Sequence, residues 1–206
     1  MYFTKNPLLL KKMYPSLIWD IPSPAKTIYL SFDDGPIPEV TPFVLETLER
    51  YDAKATFFCI GDNVRKHPEI FQQIKEAGHS IGNHTFNHLN GWKTDTDKYL
   101  ENIGLCEGFT EMRLFRPPYG RILPSQIKAI KKKYPTTKII MWDILSGDFD
   151  LNIDADKCYK NATQATESGS IIVFHDSIKA YPRLKTALPR AMEFWKNEGY
   201  NFERIG

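Results

Sequence analysis

Cysteine is scarce in this chain. Cys59, Cys106 and Cys158 are three in number, far apart, and none stands in a Cys-x-x-Cys pair. An odd, scattered set supports neither a disulfide framework nor a thiolate zinc site, and free thiols fit a reducing compartment. Long apolar runs are missing too: nothing approaches the roughly 20 apolar residues of a membrane-spanning helix. The N-terminal stretch has one three-leucine run, Leu8-Leu9-Leu10, closed by Lys11 and Lys12. It lacks the apolar region and small-residue cleavage site of a signal peptide, so the expected placement is cytoplasmic. An excess of one charge sign is also absent, since 27 Lys+Arg against 25 Asp+Glu leave +2. No basic stripe dominates, which argues against nucleic acid as a partner. Lys131-Lys132-Lys133 reads as a solvated helix end, where cations suit the dipole. There is no internal repeat and no low-complexity segment.

What remains is an ordinary globular composition, 42% hydrophobic and 25% charged over 206 residues. That is most simply one domain with a full core, and a monomer. Residues 1–26, aromatic and proline-containing, read as an N-terminal arm packed on the domain or a loose first helix. From residue 27 to 206, strands and helices alternate. Residues 27–32, 54–60, 79–83, 114–115, 138–142, 170–174 and 200–205 read as strands. Residues 38–51, 61–77, 96–111, 124–134, 154–167 and 182–197 read as helices. His67-Pro68 breaks the second of these, because proline disfavours α geometry in the residue before it. In the third, Leu100, Ile103 and Leu105 are expected inward. Repeated βα units imply a parallel sheet. About seven of them in one domain favour an α/β fold, an irregular TIM-barrel-like (β/α) barrel, whose chemistry sits at the C-terminal strand ends.

The polar clusters fall at such ends. Residues 27–32 are β-branched, aromatic and apolar, then run into Asp33-Asp34-Gly35-Pro36. Adjacent acids repel, and a cation or a shared proton most easily explains them at the end of a buried strand. Read alone, the same four residues are equally a polar turn. Downstream stand His84-Thr85-Phe86-Asn87-His88, Arg116-Pro117-Pro118-Tyr119-Gly120 and Val173-Phe174-His175-Asp176. His84 and His88 are one helical turn apart, so both face one point if the segment is helical. Two imidazoles and a carboxylate make an open site for zinc or another divalent transition ion. The competing reading makes one histidine a cap or surface residue.

Ser31-Phe32-Asp33-Asp34-Gly35-Pro36 resembles the first motif of the polysaccharide deacetylases, carbohydrate esterase family four with its NodB-homology domain. His84 to His88 matches the second motif, and Arg116 to Gly120 looks like the third. Trp142 with Asp148-Phe149 resembles the fourth, and Val173-Phe174-His175 the fifth. The match covers residues 27–176 in the family's order. The resemblance implies a metal held by Asp34, His84 and His88, most simply one zinc ion. It implies Asp33 as the general base, the backbone N–H of Tyr119 as an oxyanion donor, and His175 as the acid that protonates the leaving amine. Arg116 and Asp148 would orient the base and the acid, with the pairing left open. The implied reaction removes N-acetyl groups from amino sugars of a peptidoglycan- or chitin-like glycan. An envelope substrate of that kind is at odds with the cytoplasmic placement. The alternatives are a same-fold hydrolase of a small amide or O-acyl ester, and a catalytically silent carbohydrate-binding relative.

Two positions depart from the family pattern. Phe149 stands where the family usually has Trp, and Val173 where it has Leu; both positions are thought to shape the acetyl pocket. Phe149 is equally read as core packing. Asn83 and Asn87 read as supports for the histidines or as surface residues. Trp92 reads as packed rather than as a sugar platform. Asp176 either orients His175 or begins a loop, and His67 and His79 look structural.

Overall fold

The computed structural model describes residues 2–110 and 112–206. Met1, the expected start of the arm, and Glu111, the expected end of a helix, lie outside the described residues. The arm carries α1 (Leu8–Met13). Then come β1 (Thr27–Asp34), α2 (Val40–Arg50), β2 (Ala55–Cys59), α3 (Gly61–Lys66), α4 (Pro68–Glu76), β3 (Ser80–Asn83), α5 (Thr96–Gly104) and β4 (Leu114–Phe115). The chain continues through α6 (Pro124–Lys133), β5 (Lys138–Ile139), β6 (Ile144–Leu145), α7 (Ala155–Thr163), β7 (Ile171–His175), α8 (Tyr181–Asn197) and β8 (Asn201–Phe202). The helix break at His67-Pro68 falls where the proline puts it, between α3 and α4.

The sheet is parallel, in the order β5-β4-β3-β2-β1-β7-β6, with β8 paired to the start of β1. Seven strands do form the path, but Ile144–Leu145 takes the place expected for the last stretch of chain. Ile144–Leu145 follows Trp142-Asp143 without any alternation to mark it, and β8 is a side pairing outside the path. Flat, seven strands would set β5 and β6 about 29 Å apart. The chain joins them through residues 140–143, which span at most about 18 Å. The sheet therefore curls into an open barrel. The arm lies in the seam: Ile18 N–H donates to Ile139 O (2.9 Å), and Met141 N–H donates to Ile18 O (2.7 Å).

The two faces of each central strand separate core from site. In β1, Ile28, Leu30 and Phe32 pack with α2, α4, α7 and α8 residues in the largest apolar cluster. Tyr29, Ser31 and Asp33 alternate to the barrel interior. A second cluster joins Leu17 and Trp19 of the arm to α5 and α6. Helix α5 stops at Gly104 and Leu105 is 53% exposed, so the expected inward Leu105 does not hold. No helix among the described residues is long and apolar enough to cross a membrane.

Candidate active site

Every polar cluster singled out in the sequence opens on one cleft of about 540 Å³ at the C-terminal strand ends. Asp33 and Asp34 end β1, His84 follows β3, Arg116 follows β4, Asp148 follows β6 and His175 ends β7. Asp34 turns the chain with a φ of 90°, in the left-handed region that a non-glycine residue occupies only at a cost.

Asp34 Oδ1 lies 3.3 Å from His88 Nε2 and 3.8 Å from His84 Nε2. One donor atom from each of the three residues falls within 4.8 Å of the others. Asp34 Oδ1 is buried and accepts no hydrogen bond. A buried carboxylate oxygen without a donor, facing two imidazole nitrogens, fits a cation. The tautomers agree with this. His84 Nδ1 faces the Arg116 carbonyl at 2.8 Å; a carbonyl only accepts, so Nδ1 carries the proton and Nε2 the lone pair. His88 Nδ1 meets the Tyr119 hydroxyl at 3.1 Å, which leaves its Nε2 for the same point. Burial pushes the His84 pKa down to about 4, so its ring is neutral near pH 7.

The condition under which spacing alone would bring the two histidines together, a helical segment, is not met. The pair sits on an irregular loop in which Thr85 (φ 61°) and His88 (φ 56°) are left-handed. Asn102 on α5 shapes that loop. Its Oδ1 accepts from Phe86 N–H (2.9 Å) and Asn87 N–H (3.0 Å), and its Nδ2 donates to Asn87 Oδ1 (2.8 Å). Asn83, also buried, accepts from Thr85 N–H at 2.7 Å. Sequence reasoning missed Asn102. Its signal was a polar residue in the buried Tyr99, Asn102, Ile103 stripe of α5.

On one flank, Asp33 is held by Arg116. Arg116 is fully buried and donates from Nη1 to Asp33 Oδ1 (2.6 Å) and Ser31 Oγ (2.8 Å). Its Nη2 donates to Met141 O (2.9 Å) and its Nε to Ile140 O (3.3 Å). The guanidinium also lies over the Phe58 ring at 4.0 Å. Burial alone would raise the Asp33 pKa; the Arg116 charge, with the His84 and His175 rings and the Arg116 hydrogen bond, more than offsets it, and the carboxyl sits below its usual range. On the other flank, Asp148 grips His175 twice. Oδ1 meets the ring Nδ1 at 2.8 Å and Oδ2 accepts the backbone N–H at 2.6 Å. Burial lowers the His175 pKa, but the Asp148 carboxylate overrides it and lifts it to about 9.

The model of the family described as polysaccharide deacetylase matches residues 20–137. The chain belongs to the polysaccharide deacetylase family. It is an enzyme, a hydrolase of carbon–nitrogen bonds other than peptide bonds. A peptidoglycan-N-acetylglucosamine deacetylase of Bacillus cereus is 34% identical, the match covering 96% of each chain. A chitooligosaccharide deacetylase of Azorhizobium caulinodans is 35% identical over 73% of each. A crystal structure of a peptidoglycan N-acetylglucosamine deacetylase bound to 4-naphthalen-1-yl-N-oxidanyl-benzamide superposes with a TM-score of 0.85. It is 29% identical, with 97% of this chain and 95% of that one covered.

Within this deacetylase, the open pairing is resolved as Arg116 with Asp33 and Asp148 with His175. Asp176 does not orient His175; it begins the loop after β7 and reaches across to the turn after β1. Its Oδ1 accepts from Gly35 N–H (2.9 Å) and its Oδ2 from Thr41 Oγ (2.6 Å), so it braces the turn after β1. Tyr119 lines the cleft with a left-handed φ of 61°. Phe149 and Val173 also line the cleft, and the Phe149 ring stands edge-on to His175 at 5.1 Å. Trp92, expected to be packed, is 60% exposed, with the Arg121 guanidinium 5.0 Å over its ring.

Proposed function

We propose that this deacetylase removes N-acetyl groups from amino sugars of a peptidoglycan- or chitin-like glycan, with a divalent transition ion held by Asp34, His84 and His88. The observation that carries the reading is the unpartnered, buried Asp34 Oδ1 facing two imidazole nitrogens between an acid and a proton donor. The names of the relatives from Bacillus cereus and Azorhizobium caulinodans support the substrate class. When bound there, an ion such as zinc supplies Lewis acidity toward the amide carbonyl and the attacking water.

The chain's own residues supply the rest. Asp33, ionised beside Arg116, accepts the proton of the attacking water through the oxygen that Arg116 leaves free. The carboxylate moves little, because Arg116 is fixed at both ends by Ser31 and two main-chain carbonyls. The backbone N–H of Tyr119 donates to the developing oxyanion. His175 enters protonated, because Asp148 holds the Nδ1 proton and raises the ring's basicity. Its other nitrogen protonates the departing amine, a poor leaving group until it accepts that proton.

The test is acetate release by the purified, metal-loaded protein from N-acetylglucosamine oligomers and from peptidoglycan, beside Asp33→Asn. Release that falls about 10²–10⁴-fold in the variant is expected. No acetate above the variant's background from either glycan would sink the reading. Release from a small amide or an O-acetyl ester alone would move it to that substrate class.

A further inference from the structure

The polar half of the cleft is accounted for above; the apolar half is lined partly by the arm. We propose that Tyr2 closes the acyl end of the cleft and sets the longest acyl group the enzyme accepts, an inference that rests on the amide hydrolysis proposed above. Tyr2 lines the same cleft as Asp33, Asp34 and His175. Its ring stands against Phe149, centroids 5.2 Å apart at 55°, and Phe149 in turn stands edge-on to His175. A tyrosine from the arm thus packs behind the ring that faces the proton donor.

Three features hold the Tyr2 ring in place. Its hydroxyl donates to Asp150 Oδ2 at 3.0 Å. Gly147 leaves room for that hydroxyl, since a Cβ there would lie 2.6 Å from its oxygen. The backbone behind Tyr2 is pinned to β6: Leu145 N–H donates to Thr4 O (2.8 Å), Lys5 pairs antiparallel with Ile144, and Asn6 N–H donates to Asp143 O (2.9 Å). The geometry gives a reason for Phe149 where the family pattern has Trp. The smaller ring leaves space, and Tyr2 occupies its far side. Leu145 and Val173 complete an apolar end suited to a methyl group. A longer chain directed there runs against the Tyr2 ring, and one methylene in such a pocket changes selectivity about 10- to 200-fold.

The experiment compares wild type, Tyr2→Ala, Tyr2→Leu and Tyr2→Phe, full chain and metal-loaded, on glucosamine oligomers carrying N-acetyl, N-propionyl or N-butyryl groups. The readouts are kcat/KM for each acyl group and the thermal midpoint of each variant. Tyr2→Ala is expected to raise the propionyl-to-acetyl and butyryl-to-acetyl ratios about tenfold or more, with Tyr2→Leu raising them less. Tyr2→Phe keeps the wild-type ratios, because the ring and not the hydroxyl forms the wall. Unmoved ratios in a folded Tyr2→Ala, or in Tyr2→Leu if the alanine variant does not fold, overturn the proposal while leaving amide hydrolysis intact. A wild type that releases none of the three acyl groups from the oligomers and no acetate from peptidoglycan sinks the hydrolysis reading, and this one with it.

Discussion

Arg116 and Asp33 form a buried charge pair at the cleft wall, and that fixes the consequence of losing either member. A buried ion that loses its partner typically destabilises a protein by about 3–5 kcal/mol. Arg116→Met leaves the Asp33 carboxylate buried without its partner and also strands the Ile140 and Met141 carbonyls. Urea unfolding should show a loss of about that size, whereas Asp33→Asn, which keeps an acceptor for Nη1, should lose less. At the proposed ion site, His84→Ala is expected to abolish uptake of a divalent metal while the far-ultraviolet spectrum stays that of the folded chain. Unchanged metal stoichiometry in that variant would show that the ligand set is misassigned. The sequence presented Asp33, Asp34, His84, His88, Arg116 and His175 as candidates, because charged residues at the ends of apolar strands stand out. It left the pairing of Arg116 and Asp148 open. Both are polar residues at strand ends, and only the distance across the barrel distinguishes which carboxylate each side chain meets.

Two short connections position these groups, and both are built from backbone that local propensity disfavours. The turn after β1 is braced by Asp176, whose carboxylate lies so close to Gly35 that an added Cβ would sit 1.8 Å from Oδ2. Gly35→Ala should therefore expel Asp176 from Gly35 N–H and Thr41, and both the thermal midpoint and acetate release should fall. A variant with wild-type values for both would show that the turn tolerates displacement of the carboxylate. The histidine loop hangs on Asn102. Asn102→Ala removes the acceptor for two backbone N–H groups, and a 10- to 100-fold weaker metal affinity by competition titration is expected. An affinity equal to wild type would mean that the loop holds itself. Spacing would place both histidines on one face only if the segment were helical. The left-handed Thr85 and His88 rule that out. Asn83 sets the start of the loop by accepting from Thr85 N–H, and Asn102, some 15 residues on, accepts from Phe86 and Asn87 N–H, which no local pattern encodes. Strand β5 falls inside the expected strand 138–142, whereas β6, two residues after Trp142-Asp143, carries no alternation to mark it.

For the molecule as a whole, the curl of the sheet brings strand ends far apart in sequence around one cleft, and the arm fills the seam that the curl leaves. At the barrel's other end, His79 links β2 to the start of β3: Ala55 N–H donates to its Nδ1 at 3.2 Å. Burial, helped by the Lys54 and Arg204 charges, lowers its pKa from 6.5 to about 4. Between those values the unfolded chain binds more protons than the folded one. The contribution of neutral His79 is therefore complete above pH 6.5 and is lost as pH falls toward 4, on the order of 3 kcal/mol in all. Urea midpoints at pH 7 and pH 4.5 should separate more in wild type than in His79→Asn. Equal separations would mean that His79 titrates normally in the folded chain.

By itself the sequence determined the alternation of strands and helices, the parallel α/β barrel and the polar clusters that mark the family, because burial leaves a period in the chain and charge interrupts it. The tertiary structure alone decided which carboxylate meets Arg116, that Asp176 braces a turn, that the histidines sit on a loop, and that Tyr2 reaches the cleft. Those outcomes depend on contacts between residues up to about 150 positions apart, such as Tyr2 with Asp150, and such contacts leave no trace in local spacing.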